Sequence, residues 1–404
     1  MKDSISISLC MIVRDEAANL PSCLASVREV VDEMVVLDTG STDATVAIAQ
    51  SYGAQVYHFP WGHDFAQARN EALKYVHGAW VLVLDADEVL APEIIPYLEE
   101  VVKEEQNLVV NLLRHELGAE DAPYSEISRL FRRHPQLYFT HPYHASIDES
   151  AIDLLEEEPY WKIVSIPLVA LRHTGYQPGV IAQRQKLSTA KALMESYLAI
   201  HPEDAYTQNK LGALYLQIGE QEKGIKLLQQ AIASPGIQAP LLFEINYHLG
   251  NAYTKLGDNN QAAAYYQSAL EQQVMPQIKL PVYHNLGILL LDGGDLETAK
   301  SAFEIVLKID PGFAQGYYHL GVALKLLDNY EAAIACYQQA INLQPDYPEA
   351  YQSLGVLLLL SGQIDSSMQA FSRAIDLHQP HNPESAKRIQ EELASMGFNP
   401  ARYS

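Results

Sequence analysis

The sequence predicts an α/β domain followed by an all-α array of helical hairpins. Over residues 1–180, short apolar segments alternate with helix-like segments. In the second half, a Leu-Gly pair recurs at intervals of 38, 37, 34 and 34 residues. The chain of 404 residues also exceeds the usual domain size of about 100–200 residues, so a modular protein is expected.

Short apolar runs in the first part of the chain predict buried strands. Helix-like stretches lie between them, and this alternation of strands and helices predicts a largely parallel, Rossmann-like sheet with helices on its faces. In such sheets ligands bind beyond the carboxyl ends of the strands, and we expect the functional residues there. The apolar runs cover residues 5–13, 34–37, 55–57, 80–84 and 108–113.

The Leu-Gly pairs mark five repeats over residues 205–378. Sixteen residues after each glycine comes a bulky side chain, and small residues at other positions let two helices approach closely. This pattern resembles tetratricopeptide (TPR) repeats, which are helix-turn-helix units of 34 residues stacked in an α-solenoid. We expect a linker helix over 181–204 and a capping helix with a tail over 379–404. The repeat glycines are Gly212, Gly250, Gly287, Gly321 and Gly355, and the bulky residues are Leu228, Tyr266, Phe303, Tyr337 and Phe371.

The charge and the apolar content limit the classes of partner. Lys and Arg number 27 against 50 Asp and Glu, for a net charge of −23, so the surface repels phosphate backbones and nucleic acid is excluded as a partner. The three cysteines have no metal-ligand spacing, which favours a reducing compartment. No apolar run approaches the roughly 20 residues of a transmembrane segment. We therefore expect a cytoplasmic protein.

Acidic residues follow two of the predicted strands. Asp38 ends the apolar run 35–37 and begins Asp-Thr-Gly-Ser-Thr-Asp, while Asp85 and Asp87 follow the run 81–84. Carboxylates at i and i+2 beyond a buried strand can converge on a hard cation, although such a pair also occurs in turns that cap a helix. An aspartic protease would need a second Asp-Thr-Gly or a dimer. A haloacid-dehalogenase-type phosphatase would need a downstream metal pair that the domain lacks.

Two further residues have the chemistry to complete a nucleotide site. Arg69 lies on the predicted helix 65–73, between the two acidic strand ends, where a guanidinium can meet a diphosphate. His173 follows the apolar run 163–171, and we interpret it as a metal ligand rather than a structural histidine.

Six segments in a fixed order resemble a family 2 glycosyltransferase of the GT-A fold, in the bacterial branch that carries TPR repeats behind the catalytic domain. The resemblance covers essentially the whole chain and implies a GT-A domain with a mixed sheet over residues 1–180. The segments are CMIVRDE (10–16), VVLDTGSTD (35–43), ARN (68–70), VLVLDADE (81–88), RLFR (129–132) and LRHTGY (171–176).

The resemblance implies transfer of a sugar, with inversion, from a nucleoside diphosphate donor, usually a uridine one. It further implies a Mn²⁺ or Mg²⁺ ion on the diphosphate, held by Asp87 and His173. The cation would offset the acidic charge of the chain and lower the basicity of the leaving group. By the same resemblance, the nucleotide-sugar site comprises Val13, Arg14, Glu16, Asp38, Arg69 and Asp85.

The general base is the least defined part of the predicted site. Relatives close the segment after Arg-Leu-Phe-Arg with a His-Glu pair, whereas this chain has His144-Ala145. His144 is the leading candidate, and Asp148, Glu149 and the Glu120-Asp121 pair are its rivals. The basic cluster at 129–134, with Arg129, Arg132 and Arg133, either holds the diphosphate or acceptor or lies on a solvated strand edge.

The repeats predict a protein partner. First-helix residues of TPR arrays line a groove that binds peptides, but such arrays also form dimers. We expect the array to recruit a protein or peptide acceptor, with homo-oligomerisation as the alternative. Two further hypotheses are a lipid-linked or polysaccharide acceptor and a catalytically weak TPR scaffold. The predicted groove residues are Tyr206, Asn209, Glu244, Tyr247, Asn251, His284, Tyr318, Lys325 and Gln352.

Overall fold

The computed structural model describes residues 6–119, 121–174 and 180–398, with the side chains of the last range described from residue 187 onward. Glu120, Gly175 and Tyr176 of the predicted motifs lie outside the described residues. The chain divides into two compact units, one up to Leu241 and one from Leu242. The predicted domain limits at residues 180, 204 and 378 stay a prediction.

The first unit is built on a mixed sheet, which has eight strands in the part of the chain that the structure describes. Its order is β3-β2-β1-β4-β7-β6-β8-β5. The pairs β1·β2, β1·β4, β2·β3 and β6·β8 are parallel, and β4·β7, β6·β7 and β5·β8 are antiparallel. The strands are β1 (Ile7–Val13), β2 (Glu33–Asp38), β3 (Gln55–His58), β4 (Trp80–Val83), β5 (Glu88–Leu90), β6 (Asn107–Glu116), β7 (Tyr124–Arg132) and β8 (Lys162–His173).

Apolar side chains cover both faces of this sheet. Consecutive residues of β1 belong to different buried clusters. Leu9 lies in the cluster that contains α1, and Cys10 lies in the cluster that contains α3. Burial on both faces explains why the central strands are continuous apolar runs rather than alternating ones. The helices of this region are α1 (Leu20–Val27), α2 (Thr45–Ser51), α3 (Phe65–Leu73), α4 (Ile95–Val101) and α5 (Asp148–Glu157).

The strand order places a topological switch point at β1. The chain proceeds from β1 to β2 and β3 on one side, and β4 then pairs with the other side of β1. Because β1, β2 and β4 are parallel, their carboxyl ends meet at one edge. A crevice outside this edge is the usual ligand site of open α/β sheets.

The first unit also contains three helices that follow the sheet, namely α6 (Val180–Ile200), α7 (Ala205–Gln217) and α8 (Gln221–Ile232). Met194 of α6 and Leu211 of α7 share a buried cluster with Tyr143, which precedes α5. The helical hairpin of the first repeat is therefore packed with the α/β region rather than separate from it.

Helical hairpins and one final helix make up the second unit as far as the structure describes it, to residue 398. The helix α17 packs Ile389 and Leu393 against Phe371 of α16 and so covers the last repeat. No helix among the described residues has the length and apolar character needed to cross a membrane. The helices are α9 (Ala239–Leu256), α10 (Asn259–Leu270), α11 (Pro276–Asp292), α12 (Leu296–Ile309), α13 (Ala314–Leu326), α14 (Tyr330–Leu343), α15 (Pro348–Leu360), α16 (Ile364–His378) and α17 (Pro383–Ser395).

Each repeat glycine lies directly beneath the bulky residue of its own hairpin. A methyl group built on Gly321 would stand 2.6 Å from a ring carbon of Tyr337, and one on Gly287 would stand 2.7 Å from Phe303. The bulky side chain therefore packs within its repeat, on the first helix. Two of the predicted groove residues, Asn209 and His284, are buried.

We predict that Gly321→Ala destabilises the repeat array. Alanine normally stabilises a helix by about 1 kcal/mol relative to glycine, but here the added methyl group overlaps the buried Tyr337 ring. Overpacking of this kind costs about 1–3 kcal/mol, so the urea midpoint of the helical circular dichroism should fall.

The matched control is Gly293→Ala at the end of α11, where the nearest atom to the new methyl group is 3.4 Å away. This variant should keep the wild-type midpoint. A Gly321→Ala midpoint equal to or above that of Gly293→Ala would contradict the packing argument.

Candidate active site

The structure brings the predicted strand-end residues to one edge of the sheet. Val13 and Asp38 are the last residues of β1 and β2 and are register partners. Asp85 follows β4, the other parallel neighbour of β1. Val13 is buried, and Arg14 beyond it is exposed. Three of the sequence motifs therefore meet at this edge, the first through Val13 and the other two through the carboxylates of Asp38 and Asp85.

The loops after β1 and β2 are locked together by hydrogen bonds. Asp15 has a φ of 55°, and its carboxylate accepts a hydrogen bond from the backbone N–H of Thr42 at 2.7 Å. Its own N–H donates to Ser41 Oγ at 3.0 Å. The hydroxyl of Thr45 accepts from the N–H of Glu16 at 2.8 Å. The polar residues of these motifs therefore fix the shape of the crevice wall, a role that the sequence did not reveal.

The carboxylate of Asp38 also stabilises the turn that follows β2. It accepts hydrogen bonds from the N–H groups of Gly40 at 3.2 Å and Ser41 at 3.1 Å, and it lies 3.3 Å from His58 Nδ1. Burial opposes ionisation, but these hydrogen bonds outweigh it and lower the pKa of Asp38. Asp38 therefore presents a buried, ionised carboxylate at the end of β2.

Asp85 binds two buried arginines. Its Oδ1 lies 2.8 Å from Arg69 Nη2, and its Oδ2 lies 2.5 Å from Arg129 Nη2. Burial raises the pKa of Asp85, but the charges of Arg129 and Arg69 outweigh this effect and lower it. The predicted meeting of Asp85 and Arg69 at one site is present, and Arg129 joins them. Asp85 acts first as the counter-ion of this arginine pair.

The charged cluster continues through residues that the sequence did not single out. Glu88, which is fully buried, lies 2.7 Å from Arg114 and 3.4 Å from Arg129. Arg114 also lies 2.7 Å from Glu116. Two features of the sequence could have pointed to these residues. Glu88 is the last acid of Asp-Ala-Asp-Glu, and Arg114 and Glu116 lie two residues apart at the end of β6. We call Asp85, Arg69, Arg129, Glu88, Arg114, Glu116, His173 and Asp87 the charge chain.

The far end of the charge chain joins the two predicted metal ligands. Nε2 of His173 lies 3.1 Å from Asp87 Oδ2, and Nδ1 lies 2.5 Å from Glu116 Oε2. Hydrogen bonds to Asp87 and Glu116 raise the pKa of His173 to about 9, although burial opposes them. Burial opposes the shift of Glu116 as well, but His173 and Arg114 lower the pKa of Glu116 to about 2.

This arrangement fits a divalent cation in its donor chemistry. An imidazole nitrogen and a carboxylate oxygen face each other, and both are ordinary ligands of such ions. The second carboxylate, Glu116, contacts the other ring nitrogen of His173. Metal-binding histidines are commonly oriented by a carboxylate in this way.

The loop that carries His144 lies beside the arginine end of the charge chain. The carbonyl of Ala145 accepts a hydrogen bond from Arg69 Nη1 at 3.2 Å. His144 is exposed and has a φ of 54°, and its carbonyl accepts a hydrogen bond from the Tyr206 hydroxyl at 2.9 Å. The residue after this candidate base thus contacts Arg69, which binds Asp85.

The other candidate bases differ in their surroundings. Asp148 begins α5 and accepts hydrogen bonds from the hydroxyls of Ser128 and Ser146; Ser128 precedes Arg129 on β7. Asp121 is exposed in the connection between β6 and β7. Glu149 lies 3.3 Å from His141, a residue that the sequence analysis did not select.

Two arginines of the basic cluster are structural. Arg132 donates to the carbonyls of Asn107 at 2.6 Å and Glu104 at 2.7 Å. Arg133 donates to the carbonyl of Gly78 at 3.0 Å. Both lie near the start of β4, at the sheet edge opposite Asp85. Of this cluster, Arg129 is the residue that contacts the acidic motif.

The mixed sheet with its acidic strand ends defines a GT-A domain, and the helical hairpins behind it define a TPR solenoid. Residues 8–163 match the model of glycosyl transferase family 2. Tetratricopeptide repeat models match residues 243–273, 280–313, 325–362 and 348–379. The chain belongs to glycosyl transferase family 2 and carries TPR repeats.

Proteins similar to this chain occur in several bacteria. A TPR repeat-containing protein of Synechococcus elongatus is 42% identical over 296 residues, which are 73% of each chain. The SPbeta prophage-derived glycosyltransferase SunS of Bacillus subtilis is 25% identical over 234 residues, 57% of this chain and 54% of SunS. An uncharacterized glycosyltransferase of Rickettsia bellii is 32% identical over 136 residues, 31% of this chain and 46% of its own length. The chain thus spans about half of the latter two relatives.

Two solved structures are similar to part of the chain. MamA of Desulfovibrio magneticus gives a TM-score of 0.39 at 21% identity and covers 44% of this chain and 97% of its own. YrrB, described as a TPR protein with an unusual peptide-binding site, gives 0.39 at 16% identity and covers 48% and 97%.

We predict that Glu88→Gln destabilises the first unit. The substitution leaves the buried guanidinium groups of Arg114 and Arg129 without a full counter-charge, and removing one member of a buried ion pair costs about 3–5 kcal/mol. The three tryptophans, Trp61, Trp80 and Trp161, all lie in the first unit, so the urea midpoint of their fluorescence measures this loss.

Glu93→Gln is the matched control, since Glu93 is an exposed residue 3.6 Å from Arg172. Surface ion pairs contribute little, so this midpoint should stay near that of the wild type. Equal midpoints for the two variants would mean that the charge chain does not stabilise the fold.

Proposed function

We propose that the chain transfers a sugar from a nucleoside diphosphate donor to an acceptor, with inversion, and that it uses a divalent cation. One observation carries the proposal. Asp87 and His173 lie 3.1 Å apart, with Glu116 on the other nitrogen of the histidine, and the charge chain links them to Asp85 at the switch-point edge of the sheet. Asp87 and His173 would hold Mn²⁺ or Mg²⁺.

The charge balance of the site favours a cation together with the donor. The chain has a net charge of −23, and the buried arginines Arg69 and Arg129 already have Asp85 as counter-ion. A bound divalent cation supplies positive charge to the diphosphate and makes it a better leaving group. The residues of the chain then have the task of holding the donor in one orientation.

The remaining residues of the edge have roles in binding. Val13, Arg14, Glu16 and Asp38 would line the nucleoside pocket, where the interlocked loops after β1 and β2 keep the wall rigid. Asp85 would position Arg69 and Arg129 toward the phosphates and meet the ribose or sugar side with its exposed part. The Asp85 side chain is 35% exposed, which leaves part of it open to a ligand.

An inverting transfer needs a base that removes a proton from the acceptor. We propose His144 for this role, because it is exposed and its loop is held by Arg69 and Tyr206. Asp148 is the alternative base. Its carboxylate accepts hydrogen bonds from two serine hydroxyls, which occupy part of its acceptor capacity.

We propose a protein or peptide as the acceptor, recruited by the TPR repeats. TPR arrays present a groove for extended or helical peptides. Ala145 stands where the resemblance to family 2 glycosyltransferases implies a glutamate, and this difference favours one other hypothesis, a TPR scaffold with weak catalysis. Donor hydrolysis and nucleotide binding separate these possibilities.

We predict that Asp87→Asn abolishes the Mn²⁺-dependent stabilisation of the chain by uridine diphosphate. A ligand that binds the folded state raises its melting temperature by mass action, and the loss of one carboxylate weakens the cation site. The measurement is the thermal shift of the tryptophan fluorescence with and without Mn²⁺. The same measurement with other nucleoside diphosphates identifies the nucleobase that the site prefers.

Asp153→Asn, an exposed substitution on α5, is the control and should behave as the wild type. If Asp87→Asn shows the same Mn²⁺-dependent shift as Asp153→Asn, Asp87 is not a metal ligand. If the wild type shows no shift with any nucleotide, the scaffold hypothesis replaces the transferase.

We predict that His144→Ala lowers kcat by roughly 10²- to 10⁴-fold, the usual contribution of a general base. The KM for the donor should change little, because the ring does not bind the nucleotide in this proposal. Donor consumption in the presence of acceptor, or of water alone, provides the rate. A wild-type kcat in His144→Ala together with a large loss in Asp148→Asn would transfer the role to Asp148.

A further inference from the structure

A second group of potential metal ligands lies outside the charge chain. His141 precedes α5, Glu149 is in the first turn of α5, and Asp204 is the N-cap of α7. One nitrogen of His141 and one carboxylate oxygen of each acid lie within 4.8 Å of one another. We call these three residues the His141 cluster. It belongs wholly to the first unit.

Nε2 of His141 faces the two acids, and Nδ1 faces the hydroxyl of Thr140. The Thr140 hydroxyl lies 2.9 Å from Nδ1 and donates to the carbonyl of Ser146 at 3.3 Å. With the hydroxyl proton directed to Ser146, the oxygen of Thr140 accepts from Nδ1–H. Burial lowers the pKa of His141, but the hydrogen bonds of Nε2 with Asp204 and Glu149 outweigh it and raise the pKa to about 9. A proton therefore occupies Nε2 whenever no metal ion is bound there.

This arrangement requires a cation at Nε2. Without one, an imidazole lone pair faces two carboxylate oxygens, each 3.3 Å away, in an environment where the His141 side chain is only 2% exposed. Burial makes such an uncompensated contact costly. Either a proton or a metal ion must occupy the space between the three atoms.

The distances also fit a metal ion. Hydrogen bonds between an imidazolium and a carboxylate are usually about 2.7–2.9 Å long, whereas an Nε2–H shared between Glu149 and Asp204 makes two longer bonds of 3.3 Å. A metal ion about 2.1 Å from Nε2 and from one carboxylate oxygen gives an N–metal–O angle of about 104° for that separation, close to the tetrahedral value that Zn²⁺ prefers.

The two oxygens of Asp204 have separate tasks. Oδ1 accepts a hydrogen bond from the N–H of Thr207 at 2.6 Å and caps α7, and Oδ2 faces His141 at 3.3 Å. Glu149 is 47% exposed, so its side chain can move toward a metal, and water can complete the coordination from the solvent side. Asp204 is therefore held in place by the helix cap, whereas the side chain of Glu149 can move.

We propose that His141, Glu149 and Asp204 form a site for a tetrahedral divalent cation of the Zn²⁺ type, separate from the donor site. The ion would fasten the segment before α5 to the N-terminus of α7. Three residues after His141 comes His144, whose carbonyl binds Tyr206 of α7. The site thus stabilises the loop that carries the candidate base, and it does so through the first repeat helix.

The test uses the full chain with Asp87→Asn, stripped of metal by a chelator, so that the donor site does not compete for the ion. We expect calorimetric titration with Zn²⁺ to show one equivalent bound. Co²⁺ in its place should give the strong visible absorption of tetrahedral coordination. Zn²⁺ should also raise the melting temperature measured by tryptophan fluorescence.

Two ligand variants and one control make the assignment specific. Glu149→Gln should weaken Zn²⁺ binding at least roughly tenfold, and Asp204→Asn should do the same, because asparagine preserves the helix cap but not the charge. Glu156→Gln, an exposed residue of the same helix, should bind as the parent does.

Absence of saturable Zn²⁺ binding in the parent would overturn the proposal and leave His141 as a protonated partner of the two acids. Binding that Glu149→Gln leaves at the parent affinity would also overturn it, even if Asp204→Asn fails to fold. Neither outcome depends on the transferase reaction, since the parent already lacks Asp87.

Discussion

The contact of one carboxylate with two buried arginines is the interaction on which the rest of the site depends. A guanidinium does not lose its proton, so Arg69 and Arg129 can lie in the interior only if an acid meets them. Asp85 meets both, and it thereby joins α3 and β7 at the end of β4. The loop with His144 follows from the same contact, because Ala145 binds Arg69. The edge of the sheet is thus organised by charge neutralisation around a single residue.

Neutralisation also explains why the charge chain extends as far as the proposed metal ligands. Glu88 is fully buried and needs Arg114, and Arg114 in turn contacts Glu116, which orients His173. Each buried charge is compensated by the next, so the positions of Asp87 and His173 depend on Glu88, Arg114 and Glu116. Such support by a second layer of polar residues is what holds a reactive site in one geometry.

Much of the fold could be predicted from the sequence, and less of the site. The apolar runs located β1, β2 and β4, because strands buried on both faces have no polar residues. They missed β7, because its residues Tyr124–Arg132 are mostly polar and form no continuous apolar run, although it supplies Arg129. The sequence singled out the acids at the strand ends, Arg69 and His173, and their roles in binding stay a prediction. Glu88, Arg114, Glu116 and His141 were missed, since an isolated polar residue carries no sign of the partner that will bury it.

The sequence by itself determined the features that are local along the chain. The Gly321 and Tyr337 contact, like its counterparts in the other repeats, joins residues sixteen positions apart on two consecutive helices, and a period of 34 residues reveals it. Only the tertiary structure decided which charges meet. Asp85 and Arg129 are 44 residues apart, Glu116 and His173 are 57 apart, and His141 and Asp204 are 63 apart. These pairs follow from strand order and register, as when the parallel pairing of β6 with β8 sets Glu116 opposite His173. The hydrophobic pattern of one strand does not tell which other strand will pair with it.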